Sequence, residues 1–183
     1  VGETVASRNH AVFPGGKGLN QSLAASKAGA DVHHIGCVGE DGVWLKEILA
    51  EAGVNVGNIR RIETPTGHAV IQVDAAGQNS IVISGGANRS IQALDRDVVF
   101  ALLQPGDWLL LQNEINDIEA VLKEASDRDV KVAFNVAPVD GREQNYCLDA
   151  VRLLIVNEVE ATALARKTVP DAALDALCGG FPP

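Results

Sequence analysis

Hydrophobic and polar positions along the chain alternate between two rhythms. Leu23 and a series of alanines fall on one face of a helix predicted over 18–28, with Gly29 as its stop. The run VHHIGCV (32–38) predicts a buried strand, and an amphipathic helix follows over 42–52, closed by Gly53. Before these, TVASRNHAVF (4–13) reads as a short polar-faced strand leading into Pro14 and a cluster of glycines. A helix following a strand and leading to another strand implies parallel strands joined by crossover helices.

The pattern then changes. GHAVIQVD (67–74) and NSIVIS (79–84) alternate or run β-branched, and AAGQ between them predicts a hairpin turn. The α/β rhythm resumes with a helix near 94–103, strand 107–112, helix 115–127 and strand 130–135. Strand 151–156 follows, then helices near 158–166 and 171–177. The expectation is a single α/β domain over 1–183 that carries a small β appendage.

Composition narrows the function classes. With 183 residues and 46% hydrophobic content, the chain has material for one sizeable core. A formal charge of −9 with no basic cluster argues against a nucleic-acid partner. No apolar run approaches the roughly 20 residues of a membrane-spanning helix. The cysteines Cys37, Cys147 and Cys178 are odd in number, widely spaced and without a CxxC pair, as expected of reduced structural thiols in the cytoplasm. Four histidines give neither HxxxH nor HExxH spacing, so a zinc site is not expected.

The densest chemistry lies in FPGGKGLNQSLAASKAGAD (13–31). A phosphate loop of the GxxxxGK[ST] type fails here, because Ala11 stands in place of the first glycine and Gly18 follows Lys17. The dinucleotide fingerprint GxGxxG fails at Gln21. What remains is backbone that can pass close to a ligand, with Lys17 and the Asn20 amide beside it. An amide both donates and accepts, which suits a sugar hydroxyl. On residues alone, a glycine turn that merely caps a helix is the competing reading.

The register beyond the loop resolves this choice. Gly16, Gly18, Asn20, Ser22, Gly29 and Gly39 match the first signature of the ribokinase-like (PfkB) carbohydrate kinases, which the chain resembles over nearly its whole length. The similarity continues through ETPTGHAVIQVDAAGQNSIVISGGAN, LLLQNEI, FNVAP and LLIVNEVEA, in the family's order. It implies a three-layer α/β sandwich with a mostly parallel sheet and a β lid drawn from 4–13 and 67–84. The same resemblance implies that Gly16, Lys17, Asn20 and Glu114 touch sugar hydroxyls, and that Asn157 lies near the phosphates. Glu160 would then face a magnesium ion through water.

Local alternatives stand beside these roles. Glu114 also reads as an acid favoured near a helix N-terminus, Asn157 with Glu160 as a capping box, and Asp41 as a helix cap. Asn135 stands where the family often has an Asn-Pro-Ala-Pro run, with Val136 here in place of the first proline. Trp44 and Leu19 replace smaller residues.

The implied activity is transfer of the ATP γ-phosphoryl group to a sugar hydroxyl, with Mg2+ and K+ as candidate cations. D-ribose at its 5-hydroxyl is the expected acceptor, and fructose-type sugars, deoxyribose or nucleosides are the alternatives. The expected assembly is a homodimer through the lid. The second, GAGD-type signature with its catalytic Asp is not among these residues, nor is any methionine. The chain is therefore expected to be an N-terminal and middle portion of such a kinase. A truncated, inactive sugar-binding or dimerisation module is the alternative.

Overall fold

A computed structural model describes residues 7, 9–74, 76–167 and 170–180. The first helix, α1 (Lys17–Lys27), starts one residue earlier than its pattern predicts. Its N-cap is Gly16 at φ +93°, a left-handed conformation open to glycine at little cost, and no side chain caps the end. Strand β1 (Gly36–Val38) is shorter than the apolar run that predicted it. Of residues 32–35, only His33 takes part in a bridge, an isolated one to Asn55. The expected burial is partial as well: Cys37 and Val38 are buried, but His33 is exposed and 32 and 34–36 are half-buried.

After α2 (Val43–Glu51), β2 (Ile59–Arg61) pairs in parallel with β1. This strand escaped the sequence reading because three residues with two arginines offer no alternation to read. Strands β3 (His68–Val73) and β4 (Asn79–Ser84) form an antiparallel hairpin, and every residue in both is exposed. The described residues 7 and 9–13 carry no strand; the rest of the segment 4–13 lies outside the described residues.

The larger sheet is parallel, in the order β5 (Trp108–Gln112), β6 (Lys131–Asn135), β7 (Val151–Ile155). Helix α3 (Ala93–Leu102) precedes it, α4 (Ile118–Asp127) joins β5 to β6, and α5 (Glu158–Ala165) and α6 (Pro170–Gly180) follow β7. The main core lies on one face of this sheet. Ile118, Val121, Leu122 and Ala125 of α4 pack with Leu111, Val132, Phe134 and Val151, all at most 7% exposed. The opposite face of the sheet is open: Trp108 and Leu153 are 50% exposed, and Leu110 and Ile155 are also exposed. Among the described residues no helix is long and apolar enough to cross a membrane.

One polar strut joins the two halves of this arrangement. Arg60 on β2 reaches Asp95 in the first turn of α3 through two hydrogen bonds, the one from Nη2 to Oδ2 at 2.7 Å. Arg60 Nη2 also donates to the Ser90 carbonyl at 2.9 Å, and the Gln92 amide donates to Asp95 Oδ2 at 2.7 Å.

Candidate functional site

The carboxyl ends of parallel strands gather the polar residues that the sequence singled out. Glu114 follows β5, Asn135 ends β6 and Asn157 follows β7, so the three stand along one edge of the sheet in its spatial order. Ligands in open α/β sheets bind at this edge, because backbone amides and loop side chains converge there while the strand interiors are already satisfied.

Lys17 meets this edge from α1. Its Nζ donates to Glu114 Oε1 at 2.7 Å, across 97 residues of sequence. The lysine side chain is 34% exposed and the glutamate 21%, so the pair is neither sealed nor fully solvated. Glu114 precedes the first residue of α4 by four positions, so its contact is to Lys17 and not to a helix terminus. Asn20, one turn along α1 from Lys17, is exposed. Its amide N–H donates to the Gly16 carbonyl at 3.0 Å, which closes the first turn of the helix. Lys17 and Glu114 thus pair a cation with a carboxylate, and Asn20 presents an exposed amide on the same helix as Lys17; groups of these types can donate to and accept from a polyol.

Several residues hold these groups in place without having been visible as site residues. Gln21 and Gln112 pair side chain to side chain and tie α1 to the end of β5. Gly18 sits against Gln112, where a Cβ would lie 3.1 Å from its Oε1. Asn113 is fully buried: its Nδ2 donates to the Pro138 carbonyl at 2.6 Å, and the Tyr146 hydroxyl donates to its Oδ1 at 2.7 Å. It thereby fixes the backbone one residue before Glu114. Nothing in the string QNE distinguishes this Asn from a solvated one, since its partners lie 25 and 33 residues away.

Behind α1, Ser22 Oγ and His34 Nδ1 share a hydrogen bond of 2.8 Å. Burial lowers the His34 pKa from its ordinary value. Above about pH 6.5 the ring is neutral in both folded and unfolded chains and adds no pH slope. As pH falls below that value the unfolded chain takes up a proton that the folded chain resists, so stability declines. Urea midpoints measured from pH 7 to 5 should fall, and fall less in His34→Gln; equal slopes would show that His34 does not carry the effect.

At the β7 end, Asn157 and Glu160 form a reciprocal capping box on α5. Asn157 Oδ1 accepts from the Glu160 amide at 2.9 Å, and Glu160 Oε2 accepts from the Asn157 amide at 2.9 Å. Asn157 Nδ2 donates to Glu160 Oε1 at 3.0 Å. Each carboxylate oxygen therefore already holds one donor, and Glu160 is 9% exposed. Among the described residues no group of three His, Cys, Asp or Glu side chains could enclose a metal ion. Each Glu160 oxygen keeps a second lone pair, which can accept a hydrogen bond from water.

Asp41 departs from expectation. It caps no helix: its Oδ1 accepts from the Thr66 amide at 2.9 Å and the Thr66 hydroxyl at 2.8 Å. These two donors, the amide first, hold the Asp41 carboxyl below the usual carboxylate range. Asn135 acts locally, its Oδ1 accepting from the Ala137 amide at 3.1 Å.

Comparison with known proteins gives the same picture. Residues 1–179 match the pfkB family of carbohydrate kinases. A ribokinase of Haemophilus influenzae is 34% identical over 175 residues, covering 93% of this chain and 57% of that protein. The crystal structure of a Thermotoga maritima ribokinase superposes with a TM-score of 0.80 at 33% identity, covering 98% of this chain and 62% of that one. The Arabidopsis thaliana ribokinase complexed with ribose and ATP gives 0.76 at 30% identity, over 97% of this chain and 60% of that one. The chain thus spans about 57–62% of the length of these relatives. With a family match over residues 1–179 and a relative 34% identical over 93% of its length, the chain belongs to the pfkB family of carbohydrate kinases.

Proposed function

We propose that this chain forms the sugar-binding part of an ATP-dependent sugar kinase, with D-ribose as the acceptor at its 5-hydroxyl. The observation that carries this reading is the Lys17–Glu114 contact, which joins the glycine turn to the carboxyl end of β5. Ribose presents hydroxyls that would replace this contact in part, with Glu114 accepting, Lys17 donating and Asn20 doing either. In the reaction the acceptor oxygen forms a bond to the γ-phosphorus as the bond to ADP breaks, and the hydroxyl proton passes to a base. ATP would supply the phosphoryl group; Asn157 would lie near its phosphates, and Glu160 would meet the accompanying Mg2+ through water. By the family resemblance that base would be the Asp of a GAGD-type signature, a string that does not occur in these 183 residues.

The exposed hairpin β3–β4 serves as the cover over the sugar, excluding water that would otherwise accept the phosphoryl group. Val70, Ile71, Val73 and Ile81–Ile83 are each more than half exposed on it, which supports pairing with a second copy. Free Cys37 and Cys147 agree with a reducing cytoplasm.

Ribose titration of the folded chain by calorimetry tests the reading. Binding is expected, and Asn20→Ala should weaken it by about 0.5–1.5 kcal/mol, the net worth of a neutral hydrogen bond. The exposure of Asn20 places the effect at the lower end. A folded sample that binds neither ribose nor fructose overturns the proposal. Ribose binding without ADP release, with ATP and Mg2+ present, supports a binding module over a complete catalyst.

A further inference from the structure

Every residue of strands β3 and β4 is exposed, so the hairpin's orientation depends on the two stems that join it to the body. The first stem, 64–67, lies against the turn 39–42. Gly39 donates its amide to Thr66 Oγ1 at 2.9 Å, and Thr66 in turn donates from both its amide and its hydroxyl to Asp41 Oδ1. The approach is too close for larger residues. A Cβ at Gly42 would fall 2.1 Å from Thr66 Oγ1, and one at Gly39 would fall 2.6 Å from the Thr64 carbonyl.

The second stem is docked on the first. The Ala87 amide donates to the Pro65 carbonyl at 2.8 Å, and a Cβ at Gly67 would lie 2.7 Å from the Gly85 carbonyl. Ala87 is itself fully buried beside Cys37 and Ile91. Trp44 completes the turn by donating from Nε1 to the Asp41 carbonyl at 2.9 Å. Asp41 is therefore the side chain of the turn 39–42 that holds the first stem, alongside the Gly39 amide.

We propose that Asp41 is a positioning residue: through Thr66 it sets the angle at which hairpin β3–β4 leaves the body. Losing the link frees the hairpin to sample several angles without unfolding the cores, whose apolar packing does not involve Asp41. That the hairpin covers a sugar rests on the preceding proposal; the link itself does not.

The experiment separates the two. Spin labels are placed at Gln78→Cys in the hairpin turn and Glu51→Cys at the end of α2, in a chain with Cys147 and Cys178 replaced by serine. Pulsed electron resonance then reads the distance distribution without sugar. A narrow distribution is expected for the parent, with a broader and shifted one for Asp41→Asn and for Thr66→Val. Thr66→Ser, which keeps both donors, should restore the parent distribution. Distributions that stay unchanged in both Asp41→Asn and Thr66→Val, or a lowered melting temperature with an unchanged distribution, overturn the latch. If the distributions broaden but the parent binds no ribose, the latch holds and the sugar reading fails. If both hold, Asp41→Asn should weaken ribose binding while its melting temperature stays near that of the parent.

Discussion

Replacing Asp95 by alanine is expected to destabilise the fold by about 2–4 kcal/mol. Removing one partner of a buried ion pair typically costs about 3–5 kcal/mol, because the remaining charge is left without a counterion. The lower figure reflects the partial exposure of Arg60, whose side chain is 30% exposed while that of Asp95 is 5%. The substitution removes the two hydrogen bonds from Arg60 and the one from the Gln92 amide that begins α3. Chemical denaturation monitored by circular dichroism reads the loss as a lower midpoint at unchanged slope. A change under 0.5 kcal/mol, the size of an ordinary surface substitution, would falsify the strut.

The same strut has a pH signature. Hydrogen bonds from Arg60 hold the Asp95 carboxyl below its ordinary value. A carboxyl so depressed contributes its full stability above the unfolded value near 3.9, and that contribution is lost as pH falls through the lower folded value. Acid denaturation of the parent should therefore extend below pH 4 and be shallower in Asp95→Asn.

Glu114→Ala is expected to weaken ribose binding by about 1.5–3 kcal/mol, roughly ten- to 150-fold, with little change in folding stability. Hydrogen bonds to a charged group carry about this much when the group is part-buried. The substitution also strips Lys17 of its partner and leaves its ammonium without that counterion. Lys17→Met should weaken binding too. The double variant should lose less than the sum of the two single losses, because the residues act on one ligand and on each other. Calorimetric titration of all four proteins completes the cycle. Strict additivity would mean that the two residues serve the sugar independently, and an unchanged affinity in Glu114→Ala would remove it from the site.

Two further contrasts show how far local signals carry. The spacing of Asn157 and Glu160 was compatible with a cap and with a metal neighbour, and the structure shows the cap formed in full, with both carboxylate oxygens engaged. Asp41, in GEDG, looked like a cap and is not one; its partner Thr66 lies 25 residues away. Asn157 is the N-cap of α5, whereas Asp41 lies inside the short helical turn Glu40–Gly42. The segment around Thr66 packs close beside Asp41 and takes its oxygen.

What the sequence by itself determined is local. Helices over 18–28, 42–52 and 94–103 end within a residue or so of α1, α2 and α3, because a helix repeats its contacts every three or four positions and its caps lie next to it. The hairpin turn and the glycine turn before α1 were legible for the same reason. Tertiary structure alone decided which edge strands paired, as with β1 and β2, and which face of β5–β6–β7 is covered by α4. It alone brought Lys17 to Glu114, Arg60 to Asp95 and Thr66 to Asp41. Partners so far apart in sequence leave no periodicity to read. Their meeting is set by how the helices and strands pack to bury their apolar faces, and a charge or hydroxyl finds its partner only once that packing exists.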